Sequence, residues 1–116
     1  MPAQLVPRKV EMPETDEEGF LLDPSDWTPE LARVIAQMED LPLTDERWLV
    51  VSYVRETFEQ RQSVPEARHV LKYMQEKLGS DRATRKYLYS LFPYGYGQQA
   101  CKIAGMRKPR KLMLDV

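Results

Sequence analysis

The side chain most capable of covalent chemistry in this sequence is that of Cys101, the only cysteine among the 116 residues. Thiolate is the reactive form of cysteine, and nearby positive charge lowers the pKa of a thiol. Lys102 follows directly, and the basic residues beyond it could fold back over the sulfur. A lone cysteine is also among the residues most often buried as inert core. Cys101 is therefore a candidate reactive thiol, with an inert buried thiol as the alternative.

Other catalytic and metal-binding patterns find little support. A metal site needs several ligands at usable spacing, and His69, the only histidine, stands far from Cys101 in sequence. The acidic run Asp16–Glu18 fits a solvated loop better than a pair of catalytic carboxylates. Gly95 and Gly97 lack the rest of any glycine-rich phosphate motif. We expect no metal and no cofactor.

Charge is segregated along the chain, although the net charge is only −1. Between Glu11 and Glu46 the acids dominate and Arg33 is the only base, whereas the stretch from Arg82 to Leu114 contains bases and no acid. This asymmetry suggests an anionic partner for the C-terminal half, the alternative being a solvated basic surface. The candidate docking residues are Lys86, Lys102, Arg107, Lys108, Arg110 and Lys111.

A nucleic acid is one possible anionic partner. Two predicted helices, 44–61 and 63–78, are joined by a short turn that is compatible with a helix-turn-helix. Arg68, His69 and Lys72 would be exposed on the second helix, but Glu66 and Glu76 would oppose phosphate. The low pI of about 5.9 is also unusual for a dedicated nucleic-acid binder.

Capping and turn signals predict a mostly α-helical α+β domain that holds these residues. Lys9–Met12 and Gly19–Leu22 flank an acidic loop and predict a short N-terminal β-hairpin. About five helices follow: one capped by Thr28 with a buried stripe of Leu31, Val34, Ile35 and Met38, one capped by Thr44, one capped by Ser63 with Pro65 in its first turn, one starting at Ser80 or Asp81, and one from Gln98 to Ala104 that places Cys101 beside its buried face.

The length fits one domain with a single core. We expect a flexible N-terminal arm (1–8), a helical domain (9–105) and a mobile C-terminal arm (106–116). No apolar run approaches the roughly 20 residues of a membrane helix, and the N-terminus lacks the apolar region of a secretory signal. We therefore expect a cytoplasmic protein with no membrane contact.

Several segments in order resemble one known family. They are Lys86-Tyr-Leu-Tyr-Ser-Leu-Phe-Pro-Tyr-Gly95, Gln99-Ala-Cys-Lys-Ile-Ala-Gly105 and Lys108-Pro109, and upstream Asp16-Glu-Glu-Gly-Phe-Leu21, Asp26-Trp27, Leu43-Thr-Asp-Glu-Arg-Trp48 and Val54-Arg-Glu-Thr-Phe58. Together they closely resemble the signature of the DsrC/TusE family of sulfur-relay proteins. The resemblance runs from about residue 9 to residue 109, nearly the whole chain.

The resemblance implies a small orthogonal helical bundle with an N-terminal β-hairpin and a flexible C-terminal arm. It also implies a cytosolic sulfur carrier, a sulfurtransferase in the broad sense and not a classical stand-alone enzyme. TusE-type members pass persulfide sulfur toward 2-thiouridine in tRNA, and DsrC-type members work with sulfite reductase. The implied partners are sulfur-relay or sulfite-reductase-type proteins.

The chain departs from the family at its carrier cysteine. In the family the arm has a penultimate cysteine about eleven residues beyond the position of Cys101, and here Leu112 occupies that place. Cys101 matches the inner cysteine of DsrC. Because leucine cannot hold a persulfide, two hypotheses follow. Either Cys101 alone takes up sulfur or forms an intermolecular disulfide, or the protein is a regulatory or interaction protein on the same fold that does not relay sulfur and binds a partner such as a nucleic acid.

Overall fold

A computed structural model describes residues 12–108, and this part of the chain is mostly helical. It contains α1 (Pro29–Met38), α2 (Asp45–Arg61), α3 (Ala67–Leu78), α4 (Arg85–Leu91), and a π-helical turn (Tyr96–Ala100) that runs into the short α5 (Cys101–Ile103). Single 3-10 turns precede α1 (Pro24–Asp26) and follow α3 (Ser80–Arg82). The predicted mostly helical fold is confirmed.

Threonine hydroxyls cap three of the four longer helices. Thr28 accepts from the amide of Leu31 at 3.1 Å, and Thr44 accepts from the amide of Arg47 at 3.3 Å. Both caps were predicted, and each satisfies a backbone donor that the first helical turn leaves without an intrahelical partner. Thr84 caps α4 in the same way.

The starts predicted for the third and fourth helices were wrong. Helix α3 begins at Ala67 instead of near Ser63, because Pro65 disfavours the helical region for Val64, the residue that would follow a Ser63 cap. The residues after Gly79 form only one 3-10 turn, and the next α-helix begins at Arg85, after the Thr84 cap.

The buried face of α1 is rotated from the predicted stripe. Leu31 and Ile35 are buried as expected, together with Ala32 and Ala36. At 100° per residue these four positions centre the face away from Met38, which lies at its edge and is 64% exposed.

The predicted N-terminal hairpin is represented in the described residues only by an isolated antiparallel bridge between Thr15 and Leu21. Asp16 shapes the turn between them, since its Oδ1 accepts from the amides of Glu18 (2.8 Å) and Phe20 (3.0 Å). The first predicted strand is Lys9–Met12, and only Met12 of it lies within the described residues; the predicted arm 1–8 and residues 109–116 also lie outside them. The hairpin therefore stays a prediction.

The last helical segment closes the core. Helix α5 packs against α1 and α2, and the π-helical turn packs against α2. From this segment Tyr96, Ala100, Cys101, Ile103 and Ala104 join the buried cluster formed by the longer helices. Within residues 12–108 no helix combines the length and the apolar character needed to span a membrane.

Candidate functional site

Cys101 lies in the core and not beside it, so the predicted position of its side chain was wrong. It is the first residue of α5 and is 0% exposed. Its amide donates to the carbonyl of Tyr96, and its carbonyl accepts from the amide of Met106 at 3.0 Å. The π-helical turn before it holds more residues per turn than an α-helix, which rotates Cys101 from the position that a regular helix would give it.

One carboxylate holds the residues on both sides of Cys101. Glu39, at the C-terminal end of α1, pairs through Oε2 with Nζ of Lys102 at 3.1 Å. Its Oε1 accepts from Nε2 of Gln99 at 3.5 Å, and Oε1 of Gln99 in turn accepts from the amide of Tyr94 at 3.0 Å. Both Gln99 and Lys102 are buried polar residues. These bonds satisfy polar groups that would be costly to bury without partners.

Two further side chains bind the end of this segment. Nε1 of Trp27 donates to the carbonyl of Ile103 at 2.8 Å, and Nη1 of Arg55 donates to the carbonyl of Ala104 at 3.3 Å. The Arg55 guanidinium also stands 4.7 Å from the ring centroid of Trp27, within the range of a cation–π interaction. Sequence reasoning missed these roles, although both residues fall in segments that carried the family resemblance.

The predicted basic docking residues do not form one patch in the described part of the chain. Lys102 pairs with Glu39, whereas Lys108 pairs with Glu18 at 2.8 Å. The bond to Glu18 raises the pKa of Lys108 above its usual value. Lys86 is exposed on α4, where no described contact joins it to the other candidates. Arg110 and Lys111 lie outside the described residues.

Arg107 is exposed and lies near the N-terminal turn that precedes α1. The pKa of Asp23 in that turn is lowered, chiefly by the hydrogen bonds from Ser25 and to a smaller extent by the positive charge of Arg107. The basic C-terminal stretch therefore meets the acidic N-terminal stretch within one molecule.

The pair of helices considered for nucleic acid forms a groove of mixed charge. His69, Arg68 and Lys72 line it, but so do Glu66 and Glu76, and Arg68 pairs with Glu66 at 2.8 Å. This arrangement gives the nucleic-acid hypothesis no support. Within residues 12–108, no group of three or more histidine, cysteine or acidic side chains is placed to hold a metal ion.

Comparison with known proteins defines the class of this fold and site. Residues 9–113 match the family model described as DsrC like protein. The chain is 43% identical over 100 residues to the sulfurtransferase TusE homolog of Haemophilus influenzae, which covers 86% of this chain and 92% of that protein. It is 44% identical over 98 residues to the sulfurtransferase TusE of Escherichia coli, and this match covers 84% of this chain and 90% of that protein.

Solved structures agree with the sequence relatives. The NMR structure of Allochromatium vinosum DsrC superposes with a TM-score of 0.73 at 44% identity, covering 84% of this chain and 87% of that one. The oxidized gamma-subunit of the dissimilatory sulfite reductase (DsrC) from Archaeoglobus fulgidus gives a TM-score of 0.76 at 33% identity, covering 84% and 90%. The chain therefore belongs to the DsrC/TusE family of sulfur-relay proteins.

Proposed function

We propose that this protein relays sulfur and that the thiol of Cys101 carries it. The observation that carries the proposal is the combination of relatives named sulfurtransferase TusE at 43–44% identity with the presence of one thiol in the chain. With Leu112 at the place of the usual carrier, Cys101 is the only side chain able to form a persulfide.

The proposed step is a sulfur transfer between thiols. The thiolate of Cys101 attacks the outer sulfur of a donor persulfide, a new S–S bond forms, and the donor's S–S bond breaks. The donor leaves as a thiolate, and Cys101 holds the persulfide. Attack by an acceptor thiolate on the outer sulfur returns Cys101 to its starting form, so no external oxidant or reductant is needed.

Access to the sulfur requires the segment 96–106 to move, because Cys101 is 0% exposed when the segment is closed. We propose that a protein partner of the sulfur-relay or sulfite-reductase type, in the cytoplasm, engages the protein in that open state. Exposed Lys86, Arg107 and Lys108 are the proposed docking residues in the described chain, joined by Arg110 and Lys111 beyond it. Lys102 joins them only when it leaves Glu39.

Intact-mass spectrometry after incubation with glutathione persulfide tests the relay. The native wild type is expected to gain one sulfur atom, and Cys101→Ser is expected to gain none. The same donor applied to urea-unfolded wild type provides the positive control for an accessible thiol. Sulfur addition to the unfolded protein with none to the native protein would refute the relay and leave a family member that only binds its partner.

A further inference from the structure

We propose that Glu39 is a positioning residue that fastens the segment carrying Cys101 and thereby limits access to its sulfur. The consequence for sulfur transfer rests on the proposed function, whereas the fastening itself does not. Glu39 reaches the segment on both sides of the thiol: Gln99 precedes Cys101 by two residues and Lys102 follows it directly.

Glu39 is itself attached to a rigid support. Its amide donates to carbonyls of the last turn of α1, and that helix is held in the core by Leu31 and Ile35. The backbone of Glu39 therefore has a fixed place, and the bonds of its carboxylate to Gln99 and Lys102 link the segment to α1. The exposed turn at Tyr94 belongs to the same network, because the backbone amide of Tyr94 donates a hydrogen bond to Oε1 of Gln99.

The Glu39–Lys102 pair is more shielded from water than a second lysine–carboxylate pair near the same end of the chain. The side chains of Lys102 and Glu39 are 11% and 22% exposed, whereas those of Lys108 and Glu18 are 48% and 46% exposed. A pair that is half exposed contributes little, but removal of one partner from a shielded pair leaves the other charge without compensation. Loss of Glu39 therefore drives Lys102 toward water, and Cys101 moves with it.

This arrangement gives Lys102 two roles in sequence. In the closed state its ammonium is committed to Glu39 and lies 5.1 Å from the ring centroid of Phe20, while the thiol is covered. In the open state the same ammonium is free of Glu39, and its positive charge on the residue that follows Cys101 favours the nucleophilic thiolate. The contact that closes the site thus withholds the charge that would activate it.

Alkylation of native protein by iodoacetamide tests the proposal with a matched pair of variants. Glu39→Gln is expected to raise the rate at which Cys101 is alkylated about tenfold. Glu18→Gln removes the same charge from the exposed Lys108 pair and is expected to change the rate less than about twofold. The free energy of unfolding of each variant, measured in urea, gives the share of any increase that global unfolding explains.

Two additional measurements separate fastening from general destabilisation. At low urea concentration the alkylation rate of Glu39→Gln is expected to be independent of urea, because a local opening exposes little surface. The double variant Glu39→Lys with Lys102→Glu restores an ion pair of reversed polarity and is expected to recover most of the protection lost in Glu39→Lys alone. If Glu39→Gln does not fold, this comparison and the shorter Glu39→Asp provide the test.

Equal alkylation rates in Glu39→Gln and Glu18→Gln, or an increase no larger than global unfolding predicts, would overturn the proposal. The assay uses no sulfur donor, so its result is independent of the relay. Protection by Glu39 with no persulfide on native Cys101 would refute the relay alone, and persulfide formation without protection would refute the role of Glu39 alone.

Discussion

Gly105 shows how one residue shapes the site. Its φ is +80°, in the region that favours glycine, and a Cβ built on it would lie 2.4 Å from Cδ1 of Trp27. Gly79 has a similar φ of +93°, but nothing lies within 4 Å of its built Cβ. Both glycines therefore have a positive φ, and they differ in the space around them.

Replacement of each glycine by alanine separates these two effects. Both variants are expected to lose about 1–3 kcal/mol because a residue with a Cβ rarely adopts a positive φ, and Gly105→Ala is expected to lose about 1–3 kcal/mol more because its methyl group meets the Trp27 ring. Urea unfolding of the two variants measures the difference. Equal losses would mean that Trp27 moves aside without cost.

Tyr87 gives a prediction about pH. Its hydroxyl donates to the Glu46 carboxylate, and this bond, with some desolvation, raises the pKa of Tyr87 above its usual value of 10.0. The folded protein thus holds the phenolic proton more tightly than the unfolded chain. The resulting stabilisation is complete below the unfolded pKa and is lost as pH rises through the folded pKa.

We expect the free energy of unfolding to decline above about pH 10, with a smaller decline in Tyr87→Phe. Lys108, whose pKa is also raised, contributes a decline common to both proteins. Urea unfolding at a series of pH values from about 8 to 11 measures the difference. Parallel curves for the two proteins would contradict this role of Tyr87.

The sequence predicts the role of a residue well when that role depends only on its neighbours in the chain. Thr28 and Thr44 were assigned as caps because a cap depends on a few neighbouring amides. The partners of Trp27, Arg55 and Glu39 were not predictable, since each contact joins residues more than forty positions apart. Cys101 was identified by its type, but its burial depends on how a π-helical turn meets two other helices.

At the scale of elements, one hydrogen bond ties the π-helical turn to the connection between α2 and α3. The hydroxyl of Tyr96 donates to the carbonyl of Pro65 at 2.7 Å, and both residues are buried. This connection is the one whose helical start was mispredicted. The non-helical backbone around Pro65 leaves its carbonyl available for Tyr96.

Tyr96→Phe is expected to lower the free energy of unfolding by about 1–3 kcal/mol, because it leaves the buried carbonyl of Pro65 without this donor. Tyr94→Phe provides the control, since Tyr94 is 78% exposed. Thermal or urea unfolding measures both variants. A loss in Tyr96→Phe no larger than in Tyr94→Phe would show that the bond contributes nothing net.

The helix positions and the starts of α1 and α2 were predictable, but the starts of α3 and α4 were not. Thr28 and Thr44 mark the starts of α1 and α2, and Gly79 marks the end of α3, so these boundaries can be read from the sequence. The delayed start of α3 follows from Pro65, whose effect on the preceding residue outweighs a serine that could have capped. A π-helical turn has no comparable local signal here, because its wider ring is stabilised by packing against α2.

For the whole molecule, charge segregation along the sequence becomes charge pairing in space. Lys108 meets Glu18, Lys102 meets Glu39 and Arg82 meets Glu46. The asymmetry suggested an anionic partner because a sequence shows charges without their neighbours. The more exposed pairs, Lys108–Glu18 and Arg82–Glu46, contribute between zero and about 1 kcal/mol each, so they compensate charge more than they stabilise the fold.

Burial of the sulfur predicts the response of the whole protein to oxidation. Native protein treated with diamide is expected to form little disulfide-linked dimer, because a dimer requires two copies to be open at the same time. Urea-unfolded protein is expected to form that dimer. Non-reducing electrophoresis after alkylation of remaining thiols measures both, and rapid dimer formation by the native protein would contradict a closed site.

The reach of the closing segment also has a consequence for how the protein is made. Trp27 bonds to Ile103, Arg55 to Ala104 and Glu18 to Lys108. The helices that emerge first from the ribosome therefore still lack the residues that cover their shared face. Contacts of such long sequence separation slow folding and leave apolar surface uncovered in the meantime. The nascent chain must therefore remain incompletely packed until residues 96–108 have left the ribosome. The core and the buried surroundings of Cys101 are then completed in the same step.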